Sequence, residues 1–295
     1  MGSNIIEISN LSKYYGKARG IEDINLEVSE GDVFGFIGPN GAGKSTTIRI
    51  LLNLIFPTGG NAKIFGLDVV KESKKIKSQI GYIPSDANLY DKMNVREFLT
   101  YCIKFYTVTN GEQRIRELTD WFELDVRRKM AELSMGNKKK VSIIQSLVHS
   151  PKLLILDEPT TGLDPLMQSK FFELLRNENK NGTTIFFSSH VLSEVQTICK
   201  KVAIIKDGKI IKVEDIDTLR KKQLKKVGID FPEKILVENL GLNGIESITS
   251  NTGNAIEFMY SGNTSELIKC LSTRKIENLV IEEPTLEEIF LHYYK

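Results

Sequence analysis

Residues 38–46 read GPNGAGKST. They fit the spacing G-x-x-x-x-G-K-[ST] at Gly38, Gly43, Lys44 and Ser45. The spacing has a physical purpose. Glycines let the backbone turn its N–H groups inward around an anion, and a helix that begins at the end of the loop adds the positive end of its dipole. The flanks agree. VFGFIG (33–38) is a continuous apolar run, the pattern of a strand buried on both faces, and TTIRILLNLIF (46–56) reads as a helix ended by PTGG (57–60). Strand, glycine-rich turn and helix in that order predict a phosphate-binding loop, in which Lys44 reaches phosphate oxygens and Ser45 holds Mg²⁺.

A second segment supplies what such a loop needs. LLILDEP (153–159) is an apolar strand that ends in Asp157 and Glu158, carboxylates at the edge of a sheet where ligands bind. Asp157 is placed to hold Mg²⁺ through water, and Glu158 to orient or deprotonate an attacking water. Other strand candidates are INLEV (24–28), IGYI (80–83) and TTIFFSS (183–189), while VAIIKDGKIIKV (202–213) reads as a hairpin turning at Asp207-Gly208. Helical spacing dominates residues 94–123, where Val95, Phe98, Leu99, Cys102, Ile103 and Tyr106 share a face and Asn94 with Glu97 form a capping box. Helices are also expected near 138–149, with a start in LSMGNKKKV (133–141) that puts Ser134 near the N-terminus, near 165–179 and from about 191. Alternation of this kind predicts an α/β fold with a mainly parallel sheet covered on both faces.

The bulk properties are compatible. Of 295 residues, 41% are hydrophobic, and 40 basic residues nearly balance 38 acidic ones, which gives no electrostatic case for nucleic acid as the main ligand. Cys102, Cys199 and Cys270 form no CxxC pair and fall in apolar stretches, so buried free thiols are expected. No run of ~18 apolar residues is present to span a bilayer, and the opening MGSNIIEI holds no apolar signal core. After TLRKKQLKK (218–226) a βαβ-like tail is expected, with strands at 255–260 and 278–283 and helices at 265–271 and 285–294. The division expected is residues 1–215 and a small appended domain over 222–295.

Together these segments resemble the nucleotide-binding subunits of the ATP-binding cassette (ABC) family, over roughly residues 4–215. The resemblance rests on ordered motifs: KYYG with Tyr15, GPNGAGKST, IGYIPSD (80–86), LSMGN (133–137), DEPTTGLDP (157–165) and SSH (188–190). It implies a P-loop NTPase cassette with a mainly parallel core sheet, an N-terminal antiparallel β-subdomain and a helical subdomain over about 86–150, joined to a small C-terminal α+β domain. It implies ATP and Mg²⁺ as cofactors. ATP would meet Tyr15 (Tyr14 is the alternative) at adenine and Gly38, Pro39, Asn40, Gly41, Ala42, Gly43, Lys44, Ser45 and Thr46 at the phosphates. Ser134, Gly136 and Asp164 would come from a second cassette closing head to tail. Ser45, Asp157 and Ser85 would face the metal, and Glu158 and His190 would serve hydrolysis.

Two positions depart from the family pattern. LSMGN has Met135 for a glycine and Asn137 for a glutamine, so a positive φ at 135 would strain the motif. Ser85 replaces a glutamine that reaches Mg²⁺ and water; with Asp86 or a water as substitute, slow but real basal hydrolysis is expected. The lysines 138–140 fit either a solvated helix end or a phosphate role. The ending EEPTLEEIFLHYY is similar to tails of ATPases that serve exporters of drugs, antibiotics or peptides, with Leu286, Ile289, Phe290 and Tyr293 on one helical face. The function implied is an ATPase that drives a separate membrane permease, as a homodimer or heterodimer of cassettes at the cytoplasmic face of the membrane. A soluble cassette acting on ribosomes or nucleic acid, and a weakly catalytic ATP-binding regulator, are the alternatives.

Overall fold

The computed structural model describes residues 3–85, 90–221, 225–233, 235, 237–282 and 284. They form two compact units, Met1–Glu214 and Asp215–Lys295. In chain order the first unit contains β1 (Asn4–Tyr15), β2 (Ala18–Ser29), β3 (Val33–Ile37), α1 (Lys44–Leu51), β4 (Gly59–Ile64), β5 (Leu67–Asp68), α2 (Ser73–Lys77) and β6 (Ile80–Ile83). It continues with α3 (Val95–Ile103), α4 (Gly111–Trp121), α5 (Met135–Leu147), β7 (Leu153–Asp157), α6 (Pro165–Lys180), β8 (Thr184–Ser189), α7 (Leu192–Ile198), β9 (Lys201–Lys206) and β10 (Lys209–Asp215).

The central sheet runs β10-β9-β3-β8-β7-β6. Strands β9, β3, β8, β7 and β6 pair in parallel, and every residue of β3, β7 and β8 is buried, as continuous apolar runs require. Register then decides what meets at the C-terminal edge: Ile37 pairs with Ser189, Asp157 with Ser188 and Ile83 with Leu156. Asp207 and Gly208 turn the β9–β10 hairpin with φ of 47° and 73°, the left-handed pair that a tight two-residue turn needs. A second sheet, β2-β1-β4-β5, is antiparallel and shares one hydrophobic core with the first through Ile6, Ile24, Ile48, Ile64, Phe34 and Phe186.

Several expected boundaries move. The helix after the phosphate loop stops at Leu51 and not at PTGG, because Asn53 takes φ 48° and Leu54 N–H donates to Arg49 O at 2.8 Å, a left-handed cap that closes the last turn. Gly59 and Gly60 of PTGG, read only as a helix stop, open β4. The expected helix near 138–149 is α5; it starts at Met135, with Ser134 at its N-terminus as the sequence allowed, since Ser134 caps it through Asn137 N–H. The capping box of α3 forms as expected, with Asn94 and Glu97 exchanging hydrogen bonds of 2.9 and 3.0 Å. Cys102 and Cys199 are buried, but Cys270 is only partly so.

The second unit holds α8 (Ile216–Lys221), β11 (Lys225–Asp230), β12 (Ile245–Thr252), β13 (Ala255–Tyr260), α9 (Thr264–Leu271) and β14 (Asn278–Glu282). The expected strands at 255–260 and 278–283 and the helix at 265–271 form as β13, β14 and α9, and the sheet order β12-β13-β11-β14 sets one further strand between the two strands of that βαβ-like run. β11 inserts between β13 and β14 and pairs antiparallel with both, through main-chain bonds that no local pattern announces. The expected terminal helix, with Leu286, Ile289, Phe290 and Tyr293, lies outside the described residues. Among the described residues no helix is long and apolar enough to cross a membrane.

At the end of α5, His149 stacks on Tyr106 with ring centroids 3.7 Å apart and bonds Ile80 O through Nε2 at 3.0 Å. Burial pushes its imidazole down from 6.5 to about 4. Between those values the unfolded chain binds a proton that the folded chain refuses, so stability falls as pH drops. Acidification from pH 7 to 5 should therefore cost about 2 kcal/mol through this side chain. Urea titrations at the two pH values should show a correspondingly smaller acid penalty in His149→Gln; an equal penalty would mean that His149 stays exposed to protonation in the fold.

Candidate nucleotide site

The parallel strands β3, β7 and β8 end side by side and deliver three groups of residues to one edge. Beyond β3, the glycines of 38–46 are there for space and for backbone. A Cβ at Gly38 would lie 2.2 Å from Ile205 O, and one at Gly43 would lie 2.6 Å from Ile21 Cγ2 on a backbone of φ 111°. Gly41 is left-handed as well, at φ 80°. No side chain caps α1, so its first N–H groups face the loop. Pro39, Asn40 and Gly41 are exposed, Ala42 is buried, and Ser45 and Thr46 are half-buried. Lys44 is 5% exposed. Its ammonium donates to Gly38 O at 2.7 Å and Pro39 O at 3.2 Å, and lies 3.2 Å from Glu158 Oε1.

Beyond β7, Asp157 is buried and accepts from Ser188 Oγ at 2.8 Å. Tyr82 lies near it; burial first, and then the Asp157 charge, pushes the phenol up to about 12, so it stays neutral there. Glu158 takes φ 48°, a left-handed conformation that costs energy in a residue with a side chain. Its carboxylate is shared: Oε1 faces Lys44, and Oε2 is 2.7 Å from His190 Nδ1. Beyond β8, Ser189 Oγ donates to buried Glu194 at 2.6 Å and accepts from Val191 N–H at 2.9 Å, which pins the backbone on both sides of His190. The sequence reading passed over Ser188, Ser189 and Glu194. The signal was present in SSH followed by an acid on the buried face of α7.

Tyr15 is half exposed at the end of β1. It crowds Gly20 together with Thr46: a Cβ there would be 2.9 Å from Tyr15 Cε2 and 3.3 Å from Thr46 Cγ2, which puts the ring beside the phosphate loop. Ser85, at the exit of β6, presents its carbonyl to Lys139 Nζ at 3.1 Å. Asp86 lies outside the described residues.

The segment 134–136 stands apart from this cluster. Ser134 caps α5, and Met135 is helical with φ outside the positive range, so the methionine is unstrained. Gly136 is close-packed, with a hypothetical Cβ 3.1 Å from Gly162 O. Asp164 caps α6 through Met167 N–H at 3.0 Å. Among the described residues no hydrogen bond or ion pair joins Ser134, Gly136 or Asp164 to Lys44, Glu158 or His190.

The donor set suits a nucleotide with Mg²⁺. The loop offers turned backbone N–H groups and an ammonium. Among the described residues no group of three His, Cys, Asp or Glu side chains forms a metal cage. Ser45 and Asp157 would instead be one or two protein oxygens beside phosphate and water, the pattern that Mg²⁺ favours. Replacing Lys44 by alanine should abolish measurable ATP binding in calorimetry. It should also erase the shift in melting temperature that ATP gives the wild type, about 2.7 kcal/mol of stabilisation at ~100 times Kd. A variant stabilised by ATP as well as wild type would remove Lys44 from the site.

Comparison with known proteins agrees with this geometry. Residues 21–161 match the family model described as ABC transporter. The chain is 38% identical over 226 residues to the bacitracin transport ATP-binding protein BcrA of Bacillus licheniformis, covering 76% of this chain and 74% of that one. It is 30% identical to the linearmycin resistance ATP-binding protein LnrL of Bacillus subtilis (strain 168), covering 98% and 97%. A solved structure described as the ATP-binding subunit of an ABC transporter superposes with TM-score 0.70 at 30% identity, over 74% of this chain and 92% of that chain. The dimeric ATP-binding cassette MJ0796, bound to ADP and Pi in a post-hydrolysis state, superposes with TM-score 0.66 at 25% identity, over 72% and 98%.

Proposed function

This chain belongs to the ABC transporter family as an ATP-binding, ATP-hydrolysing subunit, and from that premise we propose that it drives a separate membrane permease that exports drugs, antibiotics or peptides. The observation that carries the reading is Glu158. A carboxylate held on a left-handed backbone, with Lys44 on one oxygen and His190 on the other, is equipped to take a proton from water beside a phosphate.

In this reading Lys44 and the amides of 38–46 bind the β- and γ-phosphates, and Tyr15 stacks on adenine. Ser45 and Asp157 hold Mg²⁺, with Ser85 facing it; bound there, the ion neutralises charge on the phosphates. Glu158 orients the attacking water and accepts its proton. His190 steadies Glu158 and donates toward the γ-phosphate. Ser134, Gly136 and Asp164 act on the nucleotide of a second cassette, which accounts for their separation from Lys44 within one chain.

Docking to a permease at the cytoplasmic face of the membrane is supported by an aromatic row on and around α3. Tyr90, Tyr101 and Phe105 are 63%, 40% and 66% exposed. Successive rings meet edge to face, with centroids 6.4 and 5.0 Å apart. Solvent-facing aromatics arranged this way suit the apolar face of a short partner helix. The names of relatives that cover most of this chain support export of antibiotic-like cargo.

The test is twofold. Tagged chain recovered from detergent-solubilised membranes of its native cell should bring down a near-stoichiometric polytopic protein; ribosomal proteins or nucleic acid in its place would overturn the transport reading. The Glu158→Gln chain should keep ATP, lose roughly 10²-fold or more in turnover and elute as a dimer with ATP and Mg²⁺. A variant that stays monomeric under those conditions argues against two cassettes closing on nucleotide.

A further inference from the structure

The lysines 138–140 are the sequence feature that the nucleotide site does not absorb, and the solvated helix end envisaged for them does not describe Lys139. Lys138 pairs with Asp91 at 3.7 Å, and Lys140 donates to Phe122 O at 3.1 Å. Lys139 is the most enclosed, at 3% exposure. Its ammonium donates to Pro84 O at 2.9 Å, Ser85 O at 3.1 Å and Glu158 O at 3.3 Å.

The acceptors are informative. Pro84 and Ser85 leave the end of β6, and Glu158 leaves the end of β7, the neighbouring strand. Both exits carry residues of the ATP site. The donor comes from neither strand: it stands on α5, within two turns of the Ser134 cap. A buried ammonium is costly unless its N–H groups are accepted, so the two exits and the helix are held together by a strong requirement. Glu158 is also the residue whose backbone is left-handed, and its carbonyl further accepts from Thr161 N–H at 3.4 Å. A rotation of that peptide would swing the carboxylate away from His190.

We propose that Lys139 is a positioning residue for ATP hydrolysis: its ammonium locks the backbones of Ser85 and Glu158 to α5, and so ties the placement of the catalytic carboxylate to the 134–136 segment at the start of that helix. The inference rests on the hydrolytic reading of Glu158 given above. It also gives Ser85 a part that needs no long side chain, because position 85 is held by its main chain. Ser134, Gly136 and Lys139 lie within two turns of one helix, so a displacement of Ser134 and Gly136 on meeting a second cassette's nucleotide would reach Lys139 and thence Glu158.

The test compares Lys139→Met, Lys139→Gln and Lys140→Met in the full-length chain, by calorimetric ATP affinity and steady-state turnover. Lys140→Met loses a carbonyl contact of the same kind outside the site and should keep wild-type turnover. Lys139→Met should bind ATP within about twofold of wild type, because Lys44 is untouched, yet lose ~10- to 100-fold in kcat, the scale of a roughly 1 Å misplacement. Lys139→Gln retains an NH₂ donor for part of the carbonyl set and should fall between; it decides the matter if the methionine variant does not fold. Wild-type turnover in Lys139→Gln overturns the proposal. So does a parallel loss of affinity and kcat, or a loss no greater than that of Lys140→Met. The two failures separate: no turnover in wild type overturns the hydrolytic reading as well, whereas an active wild type with an equally active Lys139→Gln overturns this inference alone.

Discussion

An ammonium buried at the edge of a sheet must be neutralised, and the rest of the site is arranged around how Lys44 meets that requirement. Two carbonyls of its own loop and the Glu158 carboxylate accept it. The glycines keep the loop narrow enough for those contacts, since side chains at Gly38 or Gly43 would collide with Ile205 or Ile21. Glu158 reaches Lys44 from the next-but-one strand only because β3, β8 and β7 are in parallel register, with Ile37, Ser189, Ser188 and Asp157 meeting at one level. The left-handed backbone of Glu158 is the local expense of aiming its side chain at that point.

Polar side chains then brace what the strands deliver. Ser188 holds Asp157, and Ser189 with Glu194 pins the backbone that presents His190. Lys139 performs the same service from outside the sheet. Each is a buried polar group with its partners in place, which gives a rigid arrangement rather than a flexible one. A carboxylate that must meet water in one orientation gains from such bracing, because small displacements are expensive in rate.

The helical segment joins the core by its own contacts. The Arg114 guanidinium on α4 bonds buried Glu178 on α6, and His149 stacks under Tyr106 while bonding the main chain of β6. The exposed aromatic row of Tyr90, Tyr101 and Phe105 stands on this segment.

Local chemistry was enough to read the phosphate loop, the acids after β7, the capping box at Asn94 and the Asp207-Gly208 hairpin. Each is a short-range matter of spacing, backbone freedom or side-chain reach, and the ordered motifs of residues 15–190 carried the family resemblance. The helix stop at Asn53 and the strands β4, β11 and β12 were not legible in the same way. A left-handed cap depends on two main-chain bonds, and a strand depends on which distant segment lies beside it. The same holds for Lys139. In sequence it is one of three like charges on a helix. Only the tertiary structure, which sets two strand exits against α5, makes it a buried ammonium with carbonyls to satisfy, because burial and hydrogen-bond partners are properties of the packed chain and not of the residue type.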